Sequence, residues 1–331
     1  MESGNEPMGG IHAIYNRTSP KFFRIFQSHT VKMECFRTKT LWVILPYFNF
    51  CGFKTRKELF INFVNEILKI KNIKIVIVEA IGPAPLGKMR VHSHLRLKAH
   101  NRVWIKENLI NKGVEALPKD WKYMAWIDAD ILFMNKNWVA DTLHELKKCD
   151  LVQMWQSAVN LGPVGDALKT DTSFAFKAQT IEKKSPGIKY DDWHPGYAWA
   201  CTRRFYNRIG ALIDWAILGS ADRHMAMAMI GQVLKSAPGN IHTHYQALLE
   251  EFQSRVKGLT LGYTPGTIVH QWHGSLENRR YKQRWEILTE NNFDPFMDIG
   301  TTGDGIIELT KRGLRLEPFL DAYFAGRQED S

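Results

Sequence analysis

Cysteine is scarce. Four occur in 331 residues, Cys35, Cys51, Cys149 and Cys201, and no two are spaced as CxxC. Neither a zinc knuckle nor a disulfide scaffold is suggested, and reduced thiols in a cytosol-like compartment are expected. The first 40 residues lack an apolar run of signal-peptide type. Without such a signal the sequon Asn16-Arg17-Thr18 means little. The most apolar stretch, Leu41–Phe53, is interrupted by Pro46, Asn49 and Gly52 and falls short of the ~20 residues of a membrane span. A cytoplasmic protein, soluble or peripherally membrane-associated, is expected. Repeats and low-complexity tracts are also missing. What is present is 44% apolar and 12% aromatic residues, too much for a disordered chain. Lys+Arg 44 against Asp+Glu 34 leaves +10, which suits an anionic partner such as a nucleotide, a nucleic acid or a membrane surface.

Apolar patterning predicts alternating strands and helices. Leu41–Leu45 reads as a buried strand ended by Pro46, and Ile73–Val78 as a second, ending at Glu79. Between them Phe60, Phe63, Val64, Ile67 and Leu68 fall on one helix face. Val103, Ile110 and Val114 suggest a helix closed near Gly113, Tyr123–Ile127 a third strand, and Trp138, Val139, Leu143 and Leu146 another helix. This alternation implies α/β architecture: a mainly parallel sheet, helices on both faces, and a single continuous core. Residues 156–197, with Gly162-Pro163, Gly165, Pro186-Gly187 and Pro195-Gly196, read as loop-rich. Helical patterns follow through Phe205–Ala216, from Asp222 to Val233, and from Tyr245 to Val256 with Gly258 as the stop. Thr267–Val269 reads as a late strand, and the tail from Arg279 as helical, then irregular. The expected division is an N-terminal extension (1–40), a first half (41–150), and a second half with a helical tail (151–331).

Five segments carry chemistry. Asp128 and Asp130 lie in an apolar setting, Trp126–Phe133, where a strand ends. In extended chain they share a face, ~6–7 Å apart. Two buried carboxylates need a compensating cation, and oxygen ligands suit Mg²⁺ or Mn²⁺. A turn or helix cap is the competing reading. His270 and His273 precede Gly274. In extended chain only one could be a metal ligand; His273 is preferred, and imidazole favours Mn²⁺. Arg280 and Arg284 would share a helix face and grip phosphate, or form a solvated basic face. Asp222, opening a helix after Gly219, is a candidate general base or N-cap. Trp193, His194, Tyr197 and Trp199 surround Pro195-Gly196 and could stack on a sugar or fill the core.

Together, LWVILPYFN, RVWIKENLINKGVEALP, WIDADILF, HPGYAWACTRRFYNRIG with LGSAD, and HQWHGSLENRRY resemble a GT-A glycosyltransferase, in particular family-2-like bacterial and viral members. The likeness runs from about Leu41 to about Phe324. It implies a GT-A, Rossmann-like fold and a transferase using a nucleotide-diphosphate sugar, UDP or GDP type, with Mn²⁺ or Mg²⁺. The acceptor would be a glycan or glycoconjugate; no nucleic acid is expected, and peripheral membrane contact fits. By this resemblance Pro46, Tyr47, Asn49, Glu79, Lys106 and Asp128 face the nucleotide sugar, with Arg280 and Arg284 at its phosphates. Asp128, Asp130 and His273 hold the metal. Asp222 is the base, although Ala221 stands where relatives often carry Glu. Trp193, His194, Tyr197 and Trp199 line the acceptor side. The rival readings are a metal-dependent nuclease or nucleic-acid-binding protein, and a nucleotidyltransferase.

Overall fold

The computed structural model describes residues 40–181 and 193–331, all within one compact unit, Thr38–Ser331. The expected extension up to residue 39, with Cys35 and the sequon, and the Pro186-Gly187 loop lie outside the described residues.

In chain order the first elements are β1 (Leu41–Phe48), α1 (Lys54–Ile67), β2 (Ile73–Ile81), β3 (Ser93–Lys98), α2 (Lys106–Glu115), β4 (Tyr123–Ile127), β5 (Ile131–Phe133) and α3 (Trp138–Glu145). Then come β6 (Leu151–Gln153), β7 (Ser157–Leu161), β8 (Ala167–Thr172), α4 (Phe174–Ile181), β9 (Ala198–Thr202), α5 (Arg203–Ile209), α6 (Ala221–Met229) and α7 (Thr243–Val256). β10 (Leu261–Tyr263), β11 (Thr267–His270), α8 (Arg284–Glu290), β12 (Ile299–Thr301), β13 (Ile307–Leu309) and α9 (Glu317–Ala325) complete it.

The central sheet has seven strands in the order β10-β6-β9-β4-β1-β2-β3. All its pairings are parallel except those of β9, which runs against β4 and β6. Strands from both sides of residue 150 therefore share one sheet. Alternation along β1 divides the core in two. Trp42, Ile44 and Phe48 join the cluster that includes Leu109 and Ile110 of α2 and Tyr245 and Leu249 of α7. Leu41, Val43, Leu45 and Tyr47 join Phe60, Phe63 and Val64 of α1 and Trp138 of α3. Each such side chain removed from water contributes about 1.5–3 kcal/mol before chain entropy is counted. A second sheet, β5-β11-β7-β8, adjoins the turn after β4.

Several boundaries differ from expectation. β1 continues through Pro46 because β4 stops pairing with it at Ile44, and a strand tolerates proline where one edge is open. β2 runs two residues past Glu79. Gly113 does not stop α2; it lies inside the helix, where an added Cβ would sit 2.5 Å from Ile44 Cγ2. The glycine is there so that α2 can lie close on the sheet. Within 156–197, β7, β8 and α4 replace much of the expected loop. The helix through Phe205 ends at Gly210, so Leu212, Ile213 and Ala216 pack in non-helical chain.

Candidate active site

Two cavities meet where β4 ends. The larger, about 790 Å³, includes Trp104, Lys106, Glu107, Asp128, Asp130 and Asp222 in its wall. The smaller, about 110 Å³, is lined by Pro46, Tyr47, Phe60, Arg56 and His273 among others, and shares Asp128, Asp130, Lys106, Arg279 and Arg327 with its neighbour.

Asp128 and Asp130 are not on extended chain. A turn at Ala129-Asp130 follows β4 and sends the two carboxylates to different partners. Asp128 pairs with Lys106, the first residue of α2. Burial pushes the Asp128 carboxyl up, and Lys106 offsets part of that. Asp130 Oδ2 lies 2.9 Å from His273 Nε2 and 3.9 Å from His270 Nε2. The chain bends after β11, so both imidazoles converge on Asp130, contrary to the expectation that only one could. Asp130, His270 and His273 offer ligand atoms within 4.8 Å of one another; Asp128 is outside this group.

The protons of that group cannot all be satisfied. His273 Nε2 faces Asp130 Oδ2 at 2.9 Å, His270 Nε2 at 3.2 Å and Arg279 Nη2 at 2.7 Å. One ring nitrogen either donates or accepts, so it serves some of these neighbours at the expense of others. Asp130 Oδ1 is buried with no hydrogen-bond partner, a costly state for a carboxylate oxygen. His270 Nδ1 lies 3.0 Å from Asn160 Oδ1, which also accepts from the Tyr197 hydroxyl at 2.7 Å. Asn160 Oδ1 can only accept, so His270 carries its proton on Nδ1 and turns the Nε2 lone pair toward Asp130. Burial drives His270 down to about 3 and lowers His273 as well, so both rings are neutral near pH 7. Burial raises the Asp130 carboxyl, but the hydrogen-bonding contact with His273 and the nearby Arg279 charge outweigh it and hold the group well below the usual carboxylate range. One carboxylate, two neutral imidazoles and an orphaned oxygen fit a divalent ion, and the nitrogens favour Mn²⁺ over Mg²⁺. Such an ion would take over the place Arg279 now has at His273.

Positive charge surrounds the small cavity. Arg56 from α1 and Arg327 both bond Glu329, at 2.9 and 2.6 Å, and Arg327 lies over the Trp104 ring at 5.3 Å. In the wall of the large cavity Asp222 is the second residue of α6; Ser220 holds the N-cap position, so the N-cap reading of Asp222 is corrected. Asp222 Oδ1 accepts from the Arg223 backbone N–H at 2.8 Å. Gly196 packs against it, since a Cβ there would lie 2.9 Å from Asp222 Oδ2. His194 stacks on Tyr197 at 4.2 Å, and burial lowers its pKa. Trp193 and Tyr197 are buried in the same wall.

Other expected residues lie elsewhere. Trp199 is 1% exposed within β9, a core position with its indole bonded to the Pro195 carbonyl. Asn49 closes the turn into α1, donating to the Phe53 carbonyl at 2.8 Å and accepting from the Phe53 N–H at 3.0 Å. Glu79 is fully buried and accepts from Leu86 N, with His94 Nε2 at 2.9 Å and Arg96 Nε at 3.0 Å. None of these three lines either cavity. Arg280 and Arg284 do not share a helix face: Arg280 is exposed at a left-handed φ of 44°, outside the cavity wall, while Arg284 opens α8 and is buried. Sequence reasoning missed Asn160, Arg56, Arg279, Arg327 and Glu107. Only Arg279 had a local signal, its place in the basic run after His273.

No helix among the described residues is long and apolar enough to cross a membrane. No known protein family matches the chain, and no curated protein does. Solved structures with a similar course include the catalytic domain of Drosophila beta-1,4-galactosyltransferase 7 with xylobiose (13% identity, 86% of this chain and 99% of that one, TM-score 0.37). A mannosyltransferase from Pyrobaculum calidifontis with GDP-Man and Mn²⁺ gives 14% identity over 86% of this chain and 69% of that one, TM-score 0.43. A 4-diphosphocytidyl-2C-methyl-D-erythritol synthase from Anaerococcus prevotii gives 13% identity over 87% and 99%, TM-score 0.31. Likenesses at this level fix no chemistry for this chain.

Proposed function

We propose that the chain is a metal-dependent glycosyltransferase, moving a sugar from a UDP- or GDP-type sugar to a hydroxyl of a glycan or glycoconjugate. The observation that carries this reading is the convergence of Asp130, His270 and His273, with Asp130 Oδ1 unpartnered, at the junction of two cavities ringed by arginine and lysine. A divalent ion held by Asp130, His270 and His273 supplies positive charge to the departing diphosphate. Arg56, Arg279, Arg327 and Lys106 oppose the same charge from fixed positions, which stabilises the leaving group as its bond to the sugar breaks. Asp128 keeps Lys106 in place rather than joining the ligand set. Pro46 and Tyr47, on the small cavity, face the nucleoside. Asp222 accepts the proton of the attacking hydroxyl, and Trp193, His194 and Tyr197 present an aromatic wall to the acceptor.

A thermal-shift panel of UDP-, GDP- and dTDP-sugars, with and without Mn²⁺, tests this reading. Stabilisation by one nucleotide sugar that requires the metal supports it. Stabilisation by an oligonucleotide alone, or pyrophosphate release from a nucleoside triphosphate, overturns it.

A further inference from the structure

Arg284 is only 8% exposed, yet among the described residues its polar contacts are hydroxyls. Its Nη2 donates to Ser220 Oγ at 2.6 Å, its Nη1 to the Tyr323 hydroxyl at 3.4 Å, and its plane covers the Tyr281 ring at 5.1 Å. The two hydrogen bonds engage two of the five guanidinium N–H groups. A guanidinium withdrawn from water without a counter-charge is costly. Arg327, which shares the Tyr323 hydroxyl at 3.3 Å, has Glu329 at 2.6 Å; among the described residues Arg284 has no such carboxylate.

Arg284 stands outside the small cavity, although Arg279 and Arg327 also reach the wall of the large one. Arg56, Arg279 and Arg327 line the small cavity beside Asp130, and Arg284 does not. It stands in the wall of the large cavity with Lys282, Lys235, Ser220 and Asp222. Gly219 and Ser220 both have positive φ, 84° and 78°, in the turn that delivers Asp222. That turn is held between Arg284 and Trp104: a Cβ on Gly219 would lie 3.3 Å from Arg284 Nη1 and 3.5 Å from the Trp104 ring. An anion on Arg284 would therefore sit against the turn that positions the candidate base.

The geometry points to an acceptor that carries its own anionic group, phosphate or carboxylate, docked on Arg284 with Lys282 at the rim and a hydroxyl directed to Asp222. This deepens the transferase reading and rests on it. Both anions meet a guanidinium through paired oxygens.

Isothermal titration of the wild type, R284Q, R284K and K282Q with inorganic phosphate, glucose 6-phosphate, glucuronate and glucose tests it. The wild type is expected to bind at least one anionic sugar roughly tenfold or more tighter than glucose, as a guanidinium–anion contact requires. R284Q loses that preference, R284K keeps part of it, and K282Q weakens it by a smaller factor; the nucleoside diphosphate binds R284Q as it does the wild type. Preference for glucose 6-phosphate assigns a phosphorylated acceptor, and preference for glucuronate a uronic acid. Equal binding of the anionic sugars to R284Q, or loss of nucleoside-diphosphate binding alone, overturns the assignment. Should R284Q fail to fold, unchanged anion preference in both R284K and K282Q overturns it. A wild type that binds nucleoside diphosphate but no anionic sugar overturns this inference only; one that binds no nucleoside diphosphate overturns the transferase reading itself.

Discussion

Asn160 Oδ1 lies 3.0 Å from His270 Nδ1 and thereby decides which nitrogen of that imidazole faces Asp130. The amide is itself fixed, donating to Asp171 Oδ2 at 2.8 Å and accepting from Tyr197 at 2.7 Å. Removing this support frees the ring to rotate and to take the other tautomer. Asn160→Ala is expected to weaken Mn²⁺ binding by roughly 10–100-fold, the usual effect of losing a group that orients a metal-bound histidine. Titration of Mn²⁺ into the variant reads this directly; wild-type affinity would show that His270 needs no such support.

Asp222 reaches the large cavity from a strained turn and touches no residue of the Asp130 group. Asp222→Asn keeps its shape and removes its basicity. Transfer should slow by roughly 10²–10⁴-fold while donor affinity stays within about twofold, as loss of a general base predicts. Single-turnover rates set beside donor binding separate the two. Parallel loss of both would make Asp222 a structural residue.

Glu107 is buried beside Lys106 and receives the Trp104 indole N–H at 3.2 Å. Burial pushes its carboxyl up to about 8 from 4.5, with Lys106 opposing and Asp222 adding to the rise. The folded state therefore holds a proton that the unfolded chain releases above pH 4.5. From this group, stability falls as pH rises from about 4.5 to about 8 and is level beyond. Glu107→Gln should flatten that decline, measured by urea denaturation across the window. An identical slope in the variant would mean that Glu107 titrates normally.

Gly113 permits the close approach of α2 to β1 and β2. Alanine in a helix interior normally gains about 1 kcal/mol over glycine. Here the new Cβ would meet Ile44 Cγ2 at 2.5 Å and Val78 Cγ2 at 3.1 Å, both on strands fixed in the sheet. Overpacking of this kind costs about 1–3 kcal/mol, so Gly113→Ala should lower the denaturation midpoint despite its helix preference. A raised midpoint would show that α2 can shift away without loss.

The parts legible in the sequence are those whose signal is local. β1, β4, α1 and α7 bury regular apolar faces, and their periodicity showed them. Asp130 and His273 stood out as polar residues at the ends of apolar strands. β3 and β8 escaped because they lie at sheet edges: β8 is largely exposed, with no alternating apolar face from Ala167 to Lys169, and β3 is half-buried, with only Leu95 and Leu97 to mark its apolar side. Glu79 read as a site residue because a carboxylate at a strand end looks the same whether it meets a ligand or, as here, His94 and Arg96. Asn160 and Arg56 are brought to the site by partners 110 and 273 residues away, His270 and Glu329, and Arg327 by the Trp104 ring it covers, for which a single sequence holds no local mark. The convergence of both histidines depended on a bend after His270 that extended-chain geometry does not anticipate.

The central claim is that Asp130, His270 and His273 grip one divalent ion. Electron paramagnetic resonance of free Mn²⁺ during titration of the wild type and of Asp130→Asn tests it most directly, with circular dichroism to check the fold. One ion bound per wild-type chain, and none by a folded Asp130→Asn, is the predicted result. Equal binding by both proteins, or a folded wild type that takes up no Mn²⁺ even with nucleoside diphosphate present, would contradict it.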